Sequence, residues 1–200
     1  MVATSARSLR LSLNVPNTIT LVRLCLSIPI ALLILQRDEG LMPVAGFLLV
    51  VASLTDWLDG FVARRLKQSS PGGAIMDMVA DQFLFMPNLI AAMFVGLFTR
   101  VGGYIPLNPY LYALPALAGG ITVLAGIAIY LWKSRTRAFE FPTPTGIAKV
   151  NYWFWLAPLI MAVFGFGPDL LLAMLMYLSV ISTVATFYSY LKKGSYVFTS

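Results

Sequence analysis

The chain has 200 residues, 59% of them hydrophobic and 11% charged, with a formal net charge of +6. Soluble domains reach only about 45–50% apolar residues even with glycine counted, so the composition excludes a soluble domain with a single anchor and implies a polytopic membrane protein. A single cysteine and no histidine exclude a disulfide framework within the chain, a cysteine metal cluster, and the commonest general base and zinc ligand.

In chain order, residues 1–13 come first, with Val2, Leu9 and Leu13 set against Arg7 and Arg10. They read either as a short amphipathic helix lying on the membrane or as a tail. No signal peptide is expected, because the first apolar run is too long and no small-residue cleavage pattern follows it. Six runs are apolar enough to span: 17–36, 41–63, 74–98, 110–132, 147–166 and 168–191. Each approaches or exceeds the roughly 20 residues that a spanning helix needs. Helices are expected because hydrocarbon offers backbone polar groups no partners. A transmembrane barrel would show apolar/polar alternation, whereas these runs are continuously apolar. The expected fold class is therefore all-α, with six transmembrane helices in one membrane domain over residues 1–200 and no internal repeat or soluble domain.

Lys and Arg are unevenly distributed. One side carries Arg7, Arg10, Arg64, Arg65, Lys67, Lys133, Arg135, Arg137, Lys192 and Lys193; the other carries Arg37 and Arg100. The positive-inside rule makes the rich side cytoplasmic and, with six spans, puts both termini there. The positive charge suits anionic lipid head groups; nucleic acid is not an expected partner.

Residues 56–81 read DWLDGFVARRLKQSSPGGAIMDMVAD and hold four of the chain's eight acidic residues. Asp56 and Asp59 are three apart near the end of the second run, and Asp77 and Asp81 four apart near the start of the third. Both spacings put side chains on one helical face. The intervening SSPGG breaks the helix and makes the two helices antiparallel neighbours, so the four carboxylates are expected to converge near the cytoplasmic surface. An aspartate at the centre of a span costs about 2.5–3.5 kcal/mol on insertion scales, and four together need compensation. Arg64 and Arg65 supply part of it. Hard divalent cations supply it better, and a pair of Mg²⁺ ions, or Mn²⁺, suits an all-oxygen donor set. Carboxylates snorkelling to water are the simpler reading for any one of them, less so for four on facing turns. Gly60, Ala63 and Gly73 in the same register leave space for close helix contact or a flat ligand. A divalent-cation transporter would use such carboxylates too, but would want charge deep in the membrane and a vestibule on the opposite side.

The pattern Asp56-x2-Asp59-Gly60-x2-Ala63-Arg64-x8-Gly73-x3-Asp77-x3-Asp81 resembles, without a departure, the signature of the CDP-alcohol phosphatidyltransferases. The resemblance implies six transmembrane helices, frequent dimerisation, and transfer of a substituted phosphate from a CDP-linked donor to an alcohol with release of CMP. It implies that Asp56, Asp59, Asp77 and Asp81 hold two metal ions and that Asp81 also accepts the acceptor's proton. Gly60 and Ala63 would make room for cytidine, Arg64 would bind donor phosphate, and Gly73 would line the nucleotide pocket.

Residues 14–23, NVPNTITLVR, and 143–151, TPTGIAKVN, resemble segments of phosphatidylglycerophosphate synthases and CMP-forming cardiolipin synthases. They mark Asn17, Arg23 and Lys149 as acceptor contacts, alongside the simpler readings of Asn17 as a helix cap and Lys149 as a snorkelling cation. Tyr152, Trp153, Phe154 and Trp155 read as an interfacial belt. The implied donor is CDP-diacylglycerol, and the implied acceptor glycerol 3-phosphate, with phosphatidylglycerol, serine or an inositol phosphate as alternatives. The stretch 114–126, LPALAGGITVLAG, carries no charge, whereas those two groups usually place an arginine followed by an acidic residue there. A phosphorylated acceptor would then rely on Arg23, Lys149 and the 133–137 cluster.

Overall fold

The computed structural model of the chain describes residues 15–66, 71–104, 117, 120–121 and 146–198. These form five α-helices and no strand: α1 (Val15–Gln36), α2 (Met42–Leu66), α3 (Pro71–Phe94), α4 (Gly146–Phe164) and α5 (Asp169–Phe198), with a 3₁₀ turn at Thr99–Val101 after α3. Leu117, Gly120 and Ile121, within the expected fourth span, are helical; the rest of that span and residues 1–14 lie outside the described residues.

Among the described residues two helical segments are long and apolar enough to cross a membrane, Thr18–Gln36 and Asp169–Thr186. The other three helices carry apolar stretches at Leu41–Thr55, Val79–Phe94 and Val150–Phe164. Large apolar side chains such as Phe47, Phe94, Ile181 and Val184 are exposed. Exposed apolar side chains in this number are unfavourable in water and suit hydrocarbon. The chain is a membrane protein in this coarse sense.

The bundle is organised around α1. Both α2 and α3 lie against it, α4 lies against α2, α3 and α5, and α5 also meets the 3₁₀ turn. Among the described residues α2 and α3 each pack more extensively on α1 than on each other. Spacing in the sequence defines which face of a helix is polar, not which neighbour wedges in beside it. A core of Ile30, Ile34, Leu49, Leu84, Leu89, Leu156, Leu159 and Leu172 fills the interior. Phe85 of α3 meets Tyr152 and Trp155 of α4 edge-on, with centroids 6.4 and 6.3 Å apart.

Connections fix the helix directions. Between α1 and α2, Asp38 turns the chain: its Oδ1 accepts from the backbone N–H of Gly40 (2.9 Å) and Leu41 (3.1 Å), and its carbonyl accepts from Met42 (2.9 Å). Between α4 and α5, Gly167 has φ +80° and a Cβ there would lie 2.5 Å from Met161, so the turn requires glycine. At the same end Arg100 donates to the Phe166 carbonyl (3.1 Å) and approaches Asp169 (3.3 Å). Thus α1, α3 and α4 finish, and α2 and α5 begin, at one end of the bundle, which holds Arg37 and Arg100. The opposite end receives the last turns of α2 and the first turns of α1, α3 and α4.

Among the described residues three prolines interrupt helical hydrogen bonding: Pro29 in α1, Pro87 in α3 and Pro158 in α4. Each lacks an N–H and so leaves the carbonyl four residues earlier without its helical donor. For Pro158 that carbonyl is Phe154's, and the hydroxyl of Ser179 on α5 lies 2.5 Å from it. The α4–α5 seam continues through Trp155 Nε1, which donates to Thr183 Oγ1 (2.8 Å), and through Asn151 Oδ1, which accepts from Ser182. Polar residues serve as glue between helices where water is absent.

Gly46 on α2 admits the ring of Phe164, which would lie 2.8 Å from a Cβ at that position. Gly46→Val should lower the thermal unfolding midpoint in detergent by the equivalent of about 1–3 kcal/mol of overpacking. Phe164→Leu in the same background should recover part of the loss.

Candidate active site

The expected site residues occupy one end of the bundle. Asp56, Asp59, Gly60, Ala63 and Arg64 sit on the last third of α2, while Gly73, Asp77 and Asp81 sit on the first half of α3. Asn17 lies in the first turn of α1 and Lys149 in the first turn of α4. The helix directions bring all of these to the same end, opposite Arg37 and Arg100. The side chains of Asn17, Asp56, Asp59, Ala63, Arg64, Asp77 and Lys149 lie outside the described residues.

Arg23 and Asp81 are both described, and they meet. Arg23 Nη1 donates to Asp81 Oδ1 at 2.7 Å, with the Arg23 side chain fully buried and that of Asp81 26% exposed. This is a charge-assisted bond between α1 and α3. In the apolar interior it contributes to compensating the buried guanidinium. The sequence places Arg23 among acceptor contacts; in the bundle its guanidinium is withdrawn from solvent and holds the carboxylate expected to accept the proton.

One turn further along α1, Ser27 is fully buried and its hydroxyl donates to the carbonyl of Phe83, two residues beyond Asp81. Nothing in the acidic motif pointed to Ser27; the signal was Pro87, a proline in the middle of an apolar run. A Cβ at Gly120 would lie 2.9 Å from Gln82 Oε1 and 2.8 Å from the sulfur of Met86, both on α3. The helical segment at 120 therefore reaches α3 beside Asp81.

Four carboxylates at spacings of three and four, with no nitrogen or sulfur ligand among the expected positions, make a hard oxygen donor set that fits Mg²⁺ or Mn²⁺. Of the four, Asp81 is the one with a described side chain.

The profile of the CDP-alcohol phosphatidyltransferase family matches residues 13–186. The chain belongs to this family. Among curated relatives of the chain, the CDP-diacylglycerol–glycerol-3-phosphate 3-phosphatidyltransferase of Pseudomonas fluorescens is 44% identical over 80 residues, 39% of this chain and 40% of the relative. The protein of the same name from Escherichia coli K12 is 44% identical over 72 residues, 36% of this chain and 39% of the relative. The matched segment thus spans about two fifths of each relative.

Removing one partner of a buried ion pair weakens the compensation of the other charge, at a cost of up to about 3–5 kcal/mol. Because Asp81 is partly exposed, the lower figure applies to Arg23→Gln, read as a lowered unfolding midpoint in detergent. Adding Asp81→Asn should restore part of that stability, and strict additivity of the two losses would mean the pair is not coupled.

Proposed function

We propose that this phosphatidyltransferase moves the phosphatidyl group of CDP-diacylglycerol to glycerol 3-phosphate and releases CMP. The observation that carries the reading is the convergence of the signature positions at one end of the bundle, where Arg23 holds Asp81. The relatives' names supply the donor and acceptor. The bundle is read as six spans with its signature end cytoplasmic. The parallel course of α3 and α4 supports the fourth span, since the connection between them has to return the length of the bundle and 110–132 is long and apolar enough to do so. A site at the cytoplasmic interface lets a water-soluble acceptor meet a donor anchored by its acyl chains.

In this reading Asp56, Asp59, Asp77 and Asp81 would hold two Mg²⁺ ions, which when bound would supply positive charge to offset the negative charge of the donor diphosphate. Arg64 forks onto a donor phosphate oxygen, and Gly60, Ala63 and Gly73 leave space for the cytidine. Asp81 takes the proton from the acceptor hydroxyl. The acceptor oxygen then bonds to the phosphorus that carries diacylglycerol, the bond from that phosphorus to the CMP oxygen breaks, and CMP leaves with the electron pair. Asn17, Lys149 and the 133–137 cations bind the acceptor's phosphate. The uncharged 114–126 stretch, which departs from the pattern of both resembled groups, favours one second reading, of the acceptor only: a polar alcohol other than glycerol 3-phosphate, such as serine.

The experiment is mass spectrometry of the lipid made by purified protein from CDP-diacylglycerol, Mg²⁺ and pooled alcohols including glycerol 3-phosphate, phosphatidylglycerol, serine and inositol phosphate. Phosphatidylglycerophosphate is expected, a different head group would reassign the acceptor, and no CMP from folded protein would overturn the reading. Asp81→Asn should cut turnover by roughly a hundredfold or more, the scale of a lost general base; a wild-type rate in that variant would remove Asp81 from the role.

A further inference from the structure

Pro87 gives α3 a defect near the candidate site. The carbonyl of residue 83 in an α-helix accepts from the N–H of residue 87, and proline has none. Phe83's oxygen therefore needs another donor, and the membrane interior supplies no water. The hydroxyl of Ser27, on α1 and fully buried, is that donor. Ser179 serves the carbonyl of Phe154, freed by Pro158, in the same way. The two crossings differ in what stands beside them. Arg23 lies one turn before Ser27, Asp81 lies two residues before Phe83, and these neighbours are joined at 2.7 Å.

We infer that Ser27 and the carbonyl freed by Pro87 form a register lock between α1 and α3 that sets where Arg23 holds Asp81, making Ser27 a positioning residue for the proposed proton acceptor. A long arginine side chain reaches its partner from several rotamers and tolerates sliding of the two helices. A serine hydroxyl, with one short rotor, bonds a backbone carbonyl only at one height and one rotation. The carbonyl belongs to the backbone of α3 two residues from Asp81, so the lock fixes the Cα from which the carboxylate projects. This inference rests on the proposed role of Asp81.

The test uses the full chain in detergent or nanodiscs. The variants are Ser27→Ala, Ser27→Thr, Pro87→Ala, Ser27→Ala with Pro87→Ala, and Ser179→Ala. Four readings are taken: kcat and KM for CDP-diacylglycerol from CMP release, Mn²⁺ affinity by electron paramagnetic resonance, and the unfolding midpoint. Ser27→Ala should lower kcat roughly tenfold, the scale on which sub-ångström misplacement costs rate. It should also weaken Mn²⁺ binding several-fold while KM for the donor stays within about twofold. Ser27→Thr should restore both. Pro87→Ala supplies a new N–H to Phe83's carbonyl, so the double variant should return to within about threefold of Pro87→Ala alone. Ser179→Ala should lower the midpoint with kcat unchanged.

A Ser27→Ala variant that loses stability but keeps wild-type kcat and Mn²⁺ affinity would overturn the inference, as would a double variant no better than Ser27→Ala. If Ser27→Ala fails to fold, the double variant, with its backbone bond restored, carries the comparison. Should wild-type protein release no CMP, the parent reading fails on its own. The lock is then still tested by the midpoints: non-additive effects of Ser27→Ala and Pro87→Ala support it, and additive effects sink it.

Discussion

A polar group without a partner in hydrocarbon is the constraint around which this bundle is arranged. Lipid exerts no hydrophobic pull between helices, so association depends on close packing and on polar groups finding one another. Here a buried guanidinium finds a carboxylate, and two carbonyls freed by prolines find serines on neighbouring helices. Each of these contacts crosses between helices, so satisfying the polar group also fixes the relative position of two helices. Small residues do the complementary work, with Gly46 admitting the ring of Phe164 at the end opposite the site.

The central position of α1 follows from the same economy of partners. It carries Arg23 and Ser27 on the stripe that meets α3, and it also lies against α2. The acidic turns of α2 and α3 are thereby held at one end of the bundle with α1 beside both. In the proposed function this arrangement leaves room for a nucleotide and two ions beside the signature positions of α2 and α3. A rigid element alongside reactive groups positions them better than a loop does.

Much of this was legible in the sequence. Five of the six expected spans match described helices closely, because an apolar run in lipid has little choice but helix. The interruptions at Arg37–Leu41 and Gly165–Pro168 fall where polar, glycine and proline residues break the runs. The concentration of Asp56, Asp59, Asp77 and Asp81 marked the candidate site, since acids in so apolar a chain are costly and need a reason. Partner choice was not legible. Spacing assigns Arg23 a place on a helix, but its bond to Asp81 depends on α1 lying beside α3, a tertiary relation that periodicity does not encode. Pro87 and Pro158 announce two orphaned carbonyls, yet which serine answers each is decided by helix register. The aromatic run 152–155 reads as an interfacial belt, whereas Trp155 is buried and bonds Thr183.

The central claim is that α2 and α3 present their carboxylates to a shared pair of divalent ions at the end of the bundle where Arg23 holds Asp81. The most direct measurement is an experimental structure with CDP-diacylglycerol and Mn²⁺, read by anomalous scattering. Two peaks about 3.5–4 Å apart, bounded by Asp56 and Asp59 on one side and Asp77 and Asp81 on the other, are the predicted result. Peaks elsewhere in the bundle, or carboxylates turned onto separate faces with no anomalous density between them, would contradict it.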